Sequence, residues 1–131
     1  MIRTPSPANG DNAIEQAIIH AGANVAPRIT PADLKANIAI EHYFTAAQAV
    51  YLHGPDEEGP FGEPARGINS LDLLTFCVLV LKNGFTVTGE SACASPENFN
   101  AEIGRKIARE NAVAKIWPLM GYELKSKLAA I

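Results

Sequence analysis

The stretch Leu71–Cys93, LDLLTFCVLVLKNGFTVTGESAC, decides the fold of this chain. Residues 71–81 are rich in Leu, Val and Phe, which are favoured in strands. Asn83-Gly84 is a dipeptide typical of a two-residue hairpin turn. Residues 85–91 alternate between apolar and polar side chains, as a half-buried strand does. The stretch therefore predicts an antiparallel hairpin, about 71–92, at the centre of a β-sheet.

The turn also predicts which side chains share a face of the hairpin, since Lys82 pairs with Phe85 if the loop has two residues. Cys77 and Cys93 then point to opposite faces, which excludes a disulfide between them. The face that carries Cys77 is too apolar to lie in water, so we expect a helix or another subunit to cover it. One face comprises Phe76, Val78, Val80, Phe85, Val87 and Cys93, and the other comprises Cys77, Leu79, Leu81, Thr86, Thr88 and Glu90.

Helices are predicted on both sides of the hairpin. Thr30-Pro31-Ala32-Asp33 is a strong helix start, with Thr30 as the cap, and this helix extends through Ile38. Residues 42–45 are either its last turn or a short strand, and we favour the strand. The C-terminal helix begins near Ser95 or Asn98, either of which can cap it, and Pro118 breaks or kinks it. The remaining segments are a disordered arm at 1–10, a helix at 11–19, a strand at about 42–50 and a surface loop at 54–67.

The predicted class is therefore α+β, with one domain over residues 11–131. The whole chain has 131 residues, of which 47% are hydrophobic and 19% charged, as is ordinary for a globular domain. A net charge of −3 and a pI of about 5.6 argue against binding to duplex nucleic acid, which favours a basic surplus. Because the chain shows neither an apolar run of ~18 residues nor a secretory signal, we expect a cytosolic protein without a membrane partner.

The sequence shows no recognisable catalytic or metal-binding motif. His20, His42 and His53 are scattered without metal-ligand spacing, and two cysteines are too few for a zinc site. A Walker loop, a dinucleotide fingerprint and a deaminase signature are all missing. We therefore expect no metal, no cofactor and no enzymatic activity.

Arg105 and Arg109 are four residues apart and share one face of the C-terminal helix. Two guanidinium groups on one face suit a phosphate or a pyrophosphate, because each can donate paired hydrogen bonds. The alternative is a solvated face whose charge is balanced by Glu102 and Glu110.

Three further residues could contact a nucleotide. Asn98 and Phe99 stand at the predicted start of the C-terminal helix, where free backbone amides attract anions. Phe85 follows the hairpin turn and could stack on a purine base. The alternatives are a helix cap for Asn98 and core packing for the two aromatic rings.

Several segments resemble the phage "gene product forty-nine" family, and the similarity extends over roughly residues 30–128. Long motifs of this kind rarely arise by chance. The segments are Leu79–Cys93, Pro96–Gly104 and Ala112–Leu124, together with Thr30-Pro31 and His42-Tyr43-Phe44.

This resemblance implies a function, because the family is similar to the Thoeris anti-defence sponges of the first type. Those phage proteins bind cyclic ADP-ribose isomers and, in some members, cyclic di- or trinucleotides of CBASS systems, and they do not cleave them. They assemble as dimers and as trimers of dimers, which are hexamers, in the cytoplasm of the infected bacterial host. The ligand-binding residues implied here are Phe85, Asn98, Phe99, Arg105, Arg109 and Lys115, with Arg28 and Arg66 as upstream arginines.

Two other functions stay open from the sequence. The chain could be a phage structural or protein-interaction module without a nucleotide ligand, using its apolar sheet face. It could also be a hydrolase of cyclic nucleotides whose site leaves no motif.

Overall fold

The structure, a computed structural model, describes residues 7–51 and 70–131. It has the predicted α+β class: a three-stranded antiparallel sheet in the order β1-β2-β3, with helices at the N-terminal side and one long C-terminal helix. Two short 3-10 turns cover Ser70–Leu73 and Pro96–Asn98. The strands are β1 Ile38–Thr45, β2 Leu74–Leu81 and β3 Thr86–Ala92, and the helices are α1 Pro7–His20, α2 Pro31–Ala36, α3 Ala46–Val50 and α4 Ala101–Ala129.

The β2–β3 hairpin is present, but its predicted register is wrong by one residue. The Leu81 amide donates to the Phe85 carbonyl at 2.8 Å, so the loop has three residues, Lys82 to Gly84. Gly84 has a φ of 88°, the left-handed conformation that ends such a loop. Leu79 therefore lies opposite Val87, and every side chain of β3 moves to the other face from the one predicted.

This shift corrects the argument about the two cysteines. Cys77 lies opposite Gly89, and the Cys93 amide donates to the Leu73 carbonyl, so both cysteines belong to the same face. They are nevertheless free thiols. Four residues of strand separate their positions, about 13 Å at ~3.3 Å per residue, whereas a disulfide needs Cα atoms within ~7 Å.

Helix α4 covers the face of the sheet that carries Cys77, and this confirms the expectation of a cover. Gly89 lets the helix approach closely, because a Cβ there would lie 2.2 Å from the Ala108 carbonyl oxygen. The small side chains of Ala108 and Ala112 face the sheet at this contact. The core comprises Leu34, Cys77, Leu79, Leu81, Val87, Ala108, Ala112, Val113 and Ile116.

The opposite face of the sheet is only partly buried by the described residues. Phe44 stacks on Phe76 across β1 and β2 with ring centroids 5.4 Å apart. Val78 and Val80 continue the apolar row along β2 and are half-buried, and Ile40 beside them is 48% exposed. We call this surface, formed by Ile40, Phe44, Phe76, Val78 and Val80, the open sheet face.

The segments before the hairpin follow the predictions in part. Helix α1 begins at Pro7, so it takes in the last residues of the predicted arm, and residues 1–6 lie outside the described range. The Thr30 cap is confirmed: its side chain accepts from the Asp33 amide, and the Asp33 carboxylate accepts from the Thr30 amide. Helix α2 ends at Ala36, and Ile38 already belongs to β1.

The strand predicted at 42–50 is wrong at both ends. Strand β1 occupies 38–45, because its pairing with β2 outweighs the local helical pattern around Ile38. Thr45 then caps α3, since its side chain accepts from the Gln48 amide and its own amide donates to the Gln48 side chain. This capping box explains why residues 46–50 form a helical turn instead of continuing the strand.

Helix α4 differs from its prediction at the cap and at Pro118. Asn100, not Ser95 or Asn98, caps it by accepting from the Ile103 amide at 3.0 Å. The helix continues through Pro118, so the predicted break is wrong and the kink stays a prediction; the proline removes one hydrogen bond from a helix that has many on both sides. Within residues 7–51 and 70–131, every helix is too short or too polar to cross a lipid bilayer. The predicted loop 54–67 lies outside the described residues.

Candidate ligand-binding site

Two clefts flank the first turns of α4, one on each side of the helix. The cleft beside β1 has a volume of about 210 Å³ and contains Arg105; we call it the arginine cleft. The cleft beside β3 has about 380 Å³, and the described residues that line it include no charged side chain; we call it the neutral cleft. The arginine cleft is lined by Tyr43, Phe44, Thr45, Gln48, Thr75, Phe99, Ala101 and Arg105, and the neutral cleft by Leu73, Thr75, Ser91–Ala94, Asn98–Asn100, Ile103, Gly104 and Ile107.

The close approach of α4 to β2 separates the two clefts. Gly104 lies directly over Thr75, and a Cβ at Gly104 would come within 3.1 Å of the Thr75 hydroxyl oxygen. The Phe99 ring lies beside this contact, and Phe99 and Thr75 line both clefts. One aromatic ring and one buried hydroxyl thus mark the boundary between a cationic compartment and a neutral one.

Arg105 is the cation of the arginine cleft. It is exposed on α4, and none of the described carboxylates forms an ion pair with it. Its neighbour Lys106 lies 3.9 Å from Glu102 on the solvent side of the helix. Arg105 is therefore available for an anion, whereas the adjacent lysine belongs to an ordinary surface pair.

Arg109, one turn further along, is held by a carboxylate of β1. Its Nε donates to Glu41 Oε1 at 2.9 Å and its Nη2 to Oε2 at 3.4 Å. The Tyr43 hydroxyl donates to the same Oε1 at 2.7 Å. The hydrogen bond that Arg109 donates to Glu41 lowers the pKa of Glu41 and raises the pKa of Arg109. The pKa of Tyr43 is raised, mainly by burial and to a lesser extent by the hydrogen bond that its hydroxyl donates to Glu41.

The other predicted site residues do not join these clefts within one copy of the chain. Phe85 lies at the far end of the hairpin and is 54% exposed. Lys115 is ten residues beyond Arg105 on α4, about 15 Å at 1.5 Å per residue. Arg28 donates to Glu15 at 2.9 Å beside Trp117, at a different cleft. Arg66 lies outside the described residues.

The described residues include no group of three or more His, Cys, Asp or Glu side chains that could hold a metal ion. Where the structure describes the chain, the clefts beside α4 thus offer one unpaired guanidinium, an aromatic ring, hydroxyls and amides. These groups can bind an anionic or aromatic molecule through hydrogen bonds and stacking.

The sequence profile of the phage protein (N4 Gp49/phage Sf6 gene 66) family matches residues 29–128, roughly three quarters of the chain. The chain belongs to this family. The match confirms the family resemblance seen in the motifs of residues 30–128. No curated protein and no solved structure matches the chain significantly. The family description specifies a phage protein and names no ligand or activity.

Sequence reasoning missed the half of this phage protein's arginine cleft that β1 and β2 supply. Thr45 and Thr75 face α4 because they lie opposite each other in the β1–β2 ladder. Glu41 reaches Arg109 from 68 residues away in sequence, a contact that no local pattern encodes. The alternation of side chains along β1 could have placed Glu41 and Thr45 on the face of the sheet that carries Cys77.

Proposed function

We propose that this phage protein binds cyclic nucleotide immune signals of the infected host and sequesters them without cleaving them. The observation that carries this proposal is that Arg105 has no ion-pair partner among the described residues and shares with the Phe99 ring a cleft at the first turns of α4. A cyclic nucleotide offers a phosphate for the guanidinium and a purine face for the ring. The candidate ligands are cyclic ADP-ribose isomers and cyclic di- or trinucleotides.

A protein that only sequesters a nucleotide needs few chemical groups beyond these. Binding energy comes from a charge-assisted pair, a stacked base and a few fixed hydrogen bonds. Sequestration lowers the free signal through affinity and protein excess, so it needs no general base or nucleophile. The proposed place of action is the host cytoplasm, where such a signal would have to be captured.

Self-association is part of the proposal, because the predicted ligand residues are split between distant surfaces. Phe85 and Lys115 lie toward the hairpin loop, far from Phe99 and Arg105. A second copy could bring them beside the arginine cleft, as in the dimers and trimers of dimers that the resemblance implies. The open sheet face, including the exposed Ile40, offers an apolar surface for such contacts.

An uptake experiment tests the proposal. Purified protein is mixed with cyclic ADP-ribose isomers or cyclic di- and trinucleotides, separated from free ligand and heated to release what it holds. We expect intact ligand to be recovered. Altered ligand would identify a hydrolase, and no uptake of any signal would favour the protein-interaction module.

A matched pair of variants locates the site. Arg105→Ala should weaken nucleotide binding about tenfold or more, since a charge-assisted hydrogen bond contributes ~1.5–3 kcal/mol. Lys106→Ala removes the same charge from the next residue, whose partner is Glu102, and should leave affinity within about twofold. Equal losses in a calorimetric titration would show a general charge effect and would exclude Arg105 from a specific site.

A further inference from the structure

Arg109 shares a helix face with Arg105, yet a carboxylate already occupies its guanidinium. Glu41 accepts from both Nε and Nη2 of Arg109, at 2.9 and 3.4 Å. The side chains of Glu41 and Arg109 are each 36% exposed, so the pair lies at the rim of the helix–sheet interface. Glu41 thus neutralises the charge of Arg109 and occupies its Nε/Nη2 edge, and a ligand phosphate would have to displace Glu41 to bind that edge.

Tyr43 strengthens this arrangement from the sheet. It alternates with Glu41 on the α4 side of β1, and its hydroxyl donates to Glu41 Oε1 at 2.7 Å. Tyr43 also lines the arginine cleft, so its ring and hydroxyl connect the cleft to the Glu41–Arg109 pair, which lies just outside the lining. The hydrogen bond from Arg109 lowers the pKa of Glu41, as expected for a carboxylate that is held in an ion pair.

We propose that Glu41 is a specificity-determining residue, which withholds Arg109 and so adapts the arginine cleft to an isolated phosphodiester instead of a pyrophosphate. This inference rests on the proposed function and deepens it by naming the ligand class. A phosphodiester carries one negative charge, which the single guanidinium of Arg105 matches. A pyrophosphate carries two adjacent charges and needs the guanidinium groups of both Arg105 and Arg109, whereas Glu41 leaves only that of Arg105 available. Cyclic di- and trinucleotides contain isolated phosphodiesters, whereas cyclic ADP-ribose contains a pyrophosphate.

Calorimetric titration of four proteins tests this inference: the natural chain, Glu41→Gln, Glu102→Gln and the double variant Glu41→Gln/Arg109→Ala. The probes are a cyclic dinucleotide, cyclic ADP-ribose, inorganic phosphate and inorganic pyrophosphate. Glu102→Gln is the matched control, because it removes one negative charge near Arg105 on α4, but from a residue that pairs with Lys106 and not with Arg109. Circular dichroism checks that each variant is folded.

The natural chain should bind the cyclic dinucleotide more tightly than cyclic ADP-ribose. Glu41→Gln should raise affinity for the two pyrophosphate probes about tenfold and change the other two less than threefold. Adding Arg109→Ala should remove the gain, and Glu102→Gln should produce none. The preference of the natural chain for the dinucleotide provides a test that does not require Glu41→Gln to fold.

Three results would overturn the inference. One is tighter binding of cyclic ADP-ribose than of the dinucleotide by the natural chain. Another is an equal gain in Glu41→Gln and Glu102→Gln, which would indicate a general charge effect. The third is a gain for the pyrophosphate probes that persists in Glu41→Gln/Arg109→Ala. If no cyclic nucleotide binds but the pyrophosphate gain appears, the proposed function fails while the role of Glu41 stands.

Discussion

Gly89→Ala should destabilise the fold by about 3 kcal/mol, because Gly89 sets the distance between α4 and the sheet. A Cβ at this position would lie 2.2 Å from the Ala108 carbonyl oxygen and 2.3 Å from the Ala112 amide nitrogen. Ordinary contact begins near 3.4 Å, so α4 would have to retreat by about 1.2 Å, the difference from 2.2 Å. The clashing atoms are backbone, so no side chain can move aside, and overpacking of this kind typically costs ~1–3 kcal/mol. A gap of 0.5–1 Å alone forfeits roughly a quarter to half of each dispersion contact along the interface.

Urea unfolding followed by the fluorescence of the single tryptophan, Trp117, measures this change, since that ring packs partly against the core. Gly121→Ala is the control, because a Cβ there meets nothing within 4 Å and lies inside α4. It should stabilise the protein by ~0.5–1 kcal/mol through helix propensity. A Gly89→Ala protein within about 1 kcal/mol of the natural chain would refute the reasoning that the helix backbone rests on Gly89.

Three further outcomes are expected. Iodoacetamide should modify only Cys93 in the folded protein, because Cys77 is 0% exposed and burial raises its pKa; two adducts before unfolding, seen by mass spectrometry, would contradict this. Val78→Asp on the open sheet face should give folded monomers in light scattering, whereas an unchanged assembly would rule this face out as the contact. Glu41→Gln should lower the free energy of unfolding by less than ~1 kcal/mol at pH 7, because a pair this exposed is screened. Since Arg109 holds the folded pKa of Glu41 below 4.5, that difference should vanish as pH falls through the lowered value, and a gap that persists after Glu41 is protonated in the folded protein would argue against the ion pair as its source.

The site was predictable only where its groups lie close together in sequence. Asn98, Phe99 and Arg105 belong to one continuous segment, and the structure brings them to the same end of α4. The pairing of Arg105 with Arg109 as equal phosphate ligands looked equally local, but Glu41 distinguishes the two arginines. Helical spacing shows which side chains share a face, and it cannot show which of them already has a partner from another element.

The sequence by itself determined the family, the α+β class, the central hairpin and the Thr30 cap, because these depend on long motifs, strand-forming runs and short-range hydrogen bonds. Only the tertiary structure decided the hairpin register, the limits of β1 and the partner of Arg109. A register shift of one residue leaves composition and turn signals unchanged but exchanges the two faces of a strand. In the observed register Gly89 lies on the face that α4 covers, where a side chain would clash with the helix backbone, and this contact joins residues that are far apart along the chain.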